Sequence, residues 1–233
     1  MKYTKLLLSS ALFASSLQLA QAATITVVGD PIRGGQLIGT TFTVATEGGP
    51  GGTNSSPGAD ENATRSIDGS SGTKYLNFAE TNTGYIVLST AGASIVTGIN
   101  FVTANDAPER DPASYTLYGS NSVTDLTPNT FSLTSDSFTL ISSGALSLPN
   151  TGANITGDTT QNEGRGFASS ISFSNTVDYT SYILVFPTVR NSSANSMQIA
   201  EATLTGAAIP EPSSLALLGL GALGLVTRRR RNA

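Results

Sequence analysis

Apolar residues come along this chain in short runs, and no stretch of its middle keeps the three-to-four spacing of an amphipathic helix. The runs at 24–28, 41–45, 85–89, 95–103, 114–120, 138–144, 167–173, 181–188 and 198–205 are rich in Val, Ile, Thr, Tyr and Phe, which favour strands. In Tyr115-Thr116-Leu117-Tyr118 the alternation puts Tyr115 and Leu117 on one face. Tyr182-Ile183-Leu184-Val185-Phe186 is apolar on both faces, which predicts a central strand. Clusters of Gly, Pro, Asn and Asp separate the runs. Many short strands of this kind predict an all-β fold, an antiparallel jelly-roll β-sandwich. Two stretches are predicted as loops. One is 47–60, whose five glycines and two prolines leave it unable to pack as an element; it reads either as a binding loop or as a linker. The other is the polar stretch 149–166.

The two ends follow a different pattern. Residues 1–23 carry Lys2 and Lys5, then an uncharged apolar stretch, then Ala20-Gln21-Ala22, the three zones of a secretory signal peptide. The apolar stretch is short for a membrane span. At the other end, Pro210-Glu211-Pro212 precedes an apolar, glycine-containing segment, a short transmembrane helix at 213–227 closed by Arg228, Arg229, Arg230 and Arg231. Arginines after an apolar helix hold it with the charges on the cytoplasmic side. Pro210 and Pro212 fix φ and lack an N–H, so the motif stays extended. Together the tripeptide, the helix and the arginine cluster of 209–233 resemble the PEP-CTERM sorting signal. That resemblance implies sorting by an exosortase, a membrane-embedded cysteine protease. It also implies a brief stay in the inner membrane, and delivery to the cell surface or extracellular matrix of a Gram-negative, polysaccharide-making bacterium.

Between the ends, 24–208 is one domain's worth of chain. The sequence has no Cys, His or Trp. An exported domain without cysteine has no disulfides, so its β-core or a bound ion must hold it. Without histidine, the Ser–His and Cys–His nucleophile systems are excluded. Setting aside Lys2, Lys5 and the four terminal arginines leaves six of twelve basic residues. Fifteen of sixteen acidic residues remain beside them once Glu211 is excluded, a net charge near −9. That balance argues against nucleic acid as a partner, since phosphate contacts need cations. It suits cation binding, and it equally suits a solvated acidic surface.

Three segments carry the candidate chemistry. The first runs Asn62-Ala63-Thr64-Arg65-Ser66-Ile67-Asp68-Gly69-Ser70-Ser71-Gly72-Thr73-Lys74-Tyr75. The second contains Asp111-Pro112-Ala113-Ser114-Tyr115-Thr116-Leu117-Tyr118-Gly119-Ser120, and the third is Gln198-Ile199-Ala200-Glu201-Ala202-Thr203-Leu204. In this order they resemble the discoidin-type, or galactose-binding-like, jelly roll over 60–205. Many members have Trp where this chain has Tyr75, so the early hydrophobic contact differs. The resemblance implies a structural Ca²⁺ held by the Asp68 carboxylate, the Thr73 hydroxyl and carbonyl, the Glu201 carboxylate, and the carbonyls of Arg65, Ser70 and Ala200. Six to eight hard oxygens are what Ca²⁺ takes. The alternative is an Asp-Gly turn in which Asp68 bonds its own loop and Glu201 is exposed.

Asp106, Glu109, Arg110 and Asp111 make a charged loop before the second segment. It reads as a possible ligand loop clamping sugar hydroxyls, or as an internally paired loop with Arg110 held by Asp111 or Asp106. These carboxylates share one short loop, not the two sides of a cleft that a glycosidase needs. Tyr75 and Phe78 could stack on a sugar ring, but aromatic residues here are expected mostly in the core. The reading is therefore a non-catalytic exported protein that binds extracellular polysaccharide. The alternatives are a structural matrix protein without a specific ligand, and more remotely a glycoside hydrolase.

The tail yields the first prediction. Neutralising Arg228–Arg231 removes the positive-inside bias, so cell fractionation should show the variant mis-sorted; unchanged processing and surface delivery would count against a membrane-held tail.

Overall fold

The computed structural model describes residues 22–149 and 166–209. The expected signal peptide, the expected transmembrane helix at 213–227 and 150–165 of the second predicted loop lie outside the described residues. Fifteen strands and two 3₁₀ turns are described. The first half of the chain supplies β1 (Ala23–Thr24), β2 (Ile32–Ile38), β3 (Thr41–Val44), β4 (Thr46–Glu47), β5 (Ser55–Ser56), β6 (Tyr75–Asn77), β7 (Thr83–Leu88) and β8 (Ser94–Val102). The second half supplies β9 (Ser114–Ser120), β10 (Thr130–Ser132), β11 (Thr139–Ala145), β12 (Ala168–Ser172), β13 (Ser181–Phe186), β14 (Met197–Ile199) and β15 (Glu201–Ala208).

Two sheets face each other. The larger has the order β10-β3-β2-β7-β13-β9-β11, the smaller β1-β15-β8-β12, and every pairing in them is antiparallel. Tyr85, Leu117, Tyr182, Leu184 and Phe186 of the larger sheet pack against Val96, Ile99, Phe101, Ala202 and Leu204 of the smaller. On the other face of the larger sheet, Phe42, Ile86, Ile183 and Val185 form a second core with Val123, Leu126, Phe131 and Phe138. Strand β13 is buried at all six positions because it lies between two cores. The two-faced apolar run predicted this strand for that reason. Tyrosine hydroxyls tie the sheets together: Tyr85 donates to the Ala202 carbonyl, and the Tyr182 hydroxyl lies 2.6 Å from the Ser94 carbonyl.

The structure corrects the expected elements in four places. The predicted loop 47–60 does pack: β4 pairs in parallel with β5, Ser55 and Ser56 are buried, and the Phe78 N–H donates to the Ser55 carbonyl at 2.8 Å. Its prolines and glycines fall at the turns and leave those two residues free to pair. The predicted last strand is two strands, broken at Ala200; β14 pairs with β6 and β15 with β8. Strands β2, β6 and β10 were not anticipated. In β2, Gly34 and Gly35 interrupt the apolar pattern, and the reason is close packing: a side chain at Gly34 would strike the Tyr75 ring. The first predicted strand is cut to two ladder residues, although the Ile25 N–H still donates to the Leu204 carbonyl at 2.7 Å.

Gly84 in β7 lies so close to β13 that a Cβ there would collide with the backbone of Leu184. Gly84→Ala should therefore lower stability by about 3 kcal/mol. Gly51→Ala, whose added carbon meets nothing closer than Phe78 at 4.0 Å, should change it little. Equal thermal unfolding curves for the two variants would contradict this packing.

Candidate functional site

Asn62 opens a 3₁₀ turn over Ala63–Ile67, its side chain accepting from the Thr64 N–H at 3.1 Å, and Asp68 closes the turn. Ala63, Ser66 and Ile67 are buried, which fixes the turn against the core. Gly69 then takes φ +75°, a left-handed conformation open to glycine without strain, and the chain reverses. The reversal aims the Ser70 N–H at two carboxylates at once: Asp68 Oδ1 at 2.9 Å and Glu201 Oε1 at 3.0 Å. The Thr73 hydroxyl is 2.8 Å from Asp68 Oδ2 and 3.0 Å from the Ser70 carbonyl. Arg65 Nη1 stands 3.4 Å from Asp68 Oδ2.

Glu201 reaches this loop because the final strand changes sheet just before it. Ala200, wholly buried, donates its N–H to the Val102 carbonyl at 3.0 Å. Glu201 is only 7% exposed. Burial pushes its carboxyl up to about 8, and the Asp68 charge beside it pushes the same way. Two acids from distant parts of the chain thus share a cradle with a hydroxyl and a carbonyl. The exposed Glu201 of the simple-turn alternative is not what is found, although Asp68 does bond its own loop as that alternative has it. This is an all-oxygen donor set of the hard type that suits Ca²⁺. Among the described residues no group of three or more His, Cys, Asp or Glu side chains is placed to hold a metal ion; the cradle itself has two carboxylates.

Beside the cradle lies a second polar network. Lys74, 9% exposed, donates to Asp106 Oδ1 at 2.8 Å and to Gln198 Oε1 at 3.2 Å, and its ammonium is 3.7 Å from Glu61. Gln198 in turn donates to the carbonyls of Asp106 and Ala107. Burial works to raise the Asp106 carboxyl, but the bond to Lys74 and its charge outweigh it and hold the carboxyl below its ordinary value. Asp111 is fully buried, with Oδ2 3.2 Å from Arg190. Glu109 and Arg110 lie half-buried in the 3₁₀ turn Pro108–Arg110. The sequence offered Asp111 or Asp106 as the partner of Arg110; the Arg110 charge does act on Asp106, and Asp111 pairs with Arg190, which follows β13. The sequence reading gave no role to Lys74, Gln198 or Arg190. Lys74 and Gln198 sit inside the first and third segments, where nothing local sets them apart. Tyr75 has no exposed surface and Phe78 is half-buried, so the Tyr75 ring has no face to offer a sugar.

Comparison with known proteins accounts for the tail. Residues 208–231 match the PEP-CTERM protein-sorting motif. A chain with a PEP-CTERM motif is exported and sorted by way of the membrane. No curated protein matches this chain significantly. Among solved structures, it is similar to the family 32 CBM of C. perfringens NanJ in complex with galactose. Identity is 13%, the match covers 63% of this chain and 86% of that one, and the TM-score is 0.43. It is similar also to a fucolectin from striped bass (Morone saxatilis) serum, at 16% identity, with 80% and 49% covered and a TM-score of 0.45. A third is chitosan-binding module 1 of a chitosanase/glucanase from Paenibacillus sp. IK-5, at 16% identity, with 80% and 100% covered and a TM-score of 0.41. Likeness at this level says nothing of what the PEP-CTERM chain binds.

Glu201 makes the cradle testable by pH. A carboxyl raised from 4.5 to about 8 keeps its proton in the folded state after the unfolded chain has lost it. The folded state then binds more protons across that window, so stability falls as pH rises through it. In chelator, the melting temperature of the full chain should drop between about pH 5 and pH 8. Glu201→Gln should flatten the drop; the same slope in both proteins would place the titrating group elsewhere.

Proposed function

We propose that this chain is an exported, non-catalytic carbohydrate-binding protein of the cell surface, released to its destination by an exosortase and stabilised by a structural Ca²⁺. The observation that carries the reading is the shared cradle, in which Ser70 N–H bonds both Asp68 and Glu201. These residues stand at the positions that the discoidin-type resemblance names for calcium. With a divalent cation bound, both carboxylates are ionised and their repulsion becomes attraction to the ion. Asp68, Glu201, Thr73 and Ser70 would supply its oxygens at the cradle, with the carbonyls of Arg65 and Ala200 completing the set. The ion would pin the start of β15 to the 3₁₀ turn, which suits a protein that leaves the cell without a disulfide.

Asp106, Glu109 and Asp111 share one short loop, and Asp106 and Asp111 are paired with Lys74 and Arg190, so they do not make the acid–base pair across a cleft that glycoside hydrolysis needs; this supports a binding role. The extracellular polysaccharide that such exported proteins meet is the ligand class we assign.

Two measurements test the reading separately. Ca²⁺ at about a hundredfold excess over Kd should stabilise the full chain by about 2.7 kcal/mol. Asp68→Ala and Glu201→Ala should each abolish most of that shift, and the double variant should add little, since residues sharing one ion are not additive. Asp111→Ala should lower stability by about 2 kcal/mol yet leave the calcium shift intact. Loss of the shift in Asp111→Ala alone would move the metal to the other loop. Affinity electrophoresis through a panel of neutral and acidic polysaccharides should retard the full chain; no retardation by any would favour a matrix protein without a specific ligand.

A further inference from the structure

One cleft in the described residues lies neither at the cradle nor at the charged loop. It opens where β2, β3 and β4 meet the Ser56 and Asn62 segment, with a volume of about 420 Å³. That falls within the range of about 300–1,000 Å³ usual for small-ligand sites. Another cleft, about 220 Å³ beside Pro112 and Leu148, contains Arg190, which is already committed to Asp111 and to the Leu148 carbonyl.

The large cleft has the groups of a built site. Ser56 lines it, but its hydroxyl is buried out of reach of a ligand, so the polar side chains that can meet one are Glu47, Asn62 and Asn129. Glu47 presents a carboxylate, held at Oε1 by the Asn62 amide at 3.1 Å. Asn129 supplies a second amide. Val44, Ala45 and Gly34 make an apolar wall. The cation in the cleft is spent within the protein: Arg33 donates to the carbonyls of Leu126 at 2.9 Å and Pro128 at 3.1 Å, and to Asn129 Oδ1 at 3.2 Å. One fixed positive charge and one negative charge leave the cleft near neutral. A phosphate or carboxylate ligand would meet the Glu47 carboxylate, while Arg33 already gives donors to Leu126, Pro128 and Asn129. Tyr75 lines the floor but exposes no ring face, so affinity must come from hydrogen bonds.

We infer that this cleft is the ligand site, and that it takes a neutral polyhydroxylated ring, one sugar unit of a chain or a free sugar, through Glu47, Asn62 and Asn129. This rests on the carbohydrate-binding reading above and locates it. Carboxylate and amide groups together offer both acceptors and donors to vicinal hydroxyls, which each need both. The apolar wall takes the C–H face of the ring.

The full chain is titrated with glucose, galactose, N-acetylglucosamine and glucuronic acid, followed by ligand-observed NMR, and run through the polysaccharide panel. A neutral sugar should bind, and Glu47→Gln should weaken it about tenfold by removing a charge-assisted bond. Ala45→Phe fills the cleft without deleting any polar group and should abolish binding; an unchanged melting curve shows that it folds. Binding to polymer but not to free sugars assigns the unit to a chain, and the reverse assigns a free sugar; either supports the site. If the wild-type chain binds a sugar but both variants bind it equally well, the cleft is wrong and the carbohydrate reading stands. If only glucuronic acid binds, the neutral-ligand assignment is overturned. If the wild-type chain binds none of these sugars or polymers, the carbohydrate reading fails and the cleft assignment fails with it.

Discussion

Between Ile199 and Glu201 the chain leaves one ladder and joins another. Met197–Ile199 bonds to β6, Glu201–Ala208 to β8, and Ala200 between them is buried with its N–H held by Val102. This break is the constraint on which the cradle depends. A continuous strand would have carried Glu201 along one sheet, with its side chain set by simple alternation. The break brings the glutamate to the loop that follows the 3₁₀ turn, against Asp68. The same segment positions Gln198, two residues before the break, to meet Lys74 and the Asp106 loop. One local irregularity therefore organises both polar networks.

The 3₁₀ turn plays the complementary part. Asn62 at its start bonds Glu47 in the large cleft, and Asp68 at its end lies in the acidic cradle. Its middle is buried against the core. Five residues of rigid turn thus separate two polar sites that share no side chain.

The sandwich itself is held in ways that suit a chain without cysteine. The larger sheet is covered on both faces, so β13 is buried throughout. Buried tyrosines spend their hydroxyls on backbone carbonyls of the facing sheet, and burial raises the Tyr85 and Tyr182 hydroxyls far above the ordinary phenol range. These groups are neutral hydrogen-bond donors rather than acids. They satisfy polar atoms that a purely aliphatic core would leave unpaired.

The sequence by itself determined the all-β class, the central place of β13, the long β8 and β9, and the sorting motif at the C-terminal end. Each of these is local: alternation, a two-faced apolar run, or a motif read along consecutive residues. It could not show β2, because Gly34 and Gly35 look like a turn until the Tyr75 ring is seen to need their space. It misread 47–60 for the same reason, since glycine and proline counts average over the two serines that pair. Only the tertiary structure decided that Asp111 bonds Arg190, that Lys74 is buried among Asp106, Glu61 and Gln198, and that a polar cleft stands over Ser56. These partners lie far apart along the chain, from 13 residues to more than a hundred, and nothing in a linear pattern measures the distance that strand pairing closes.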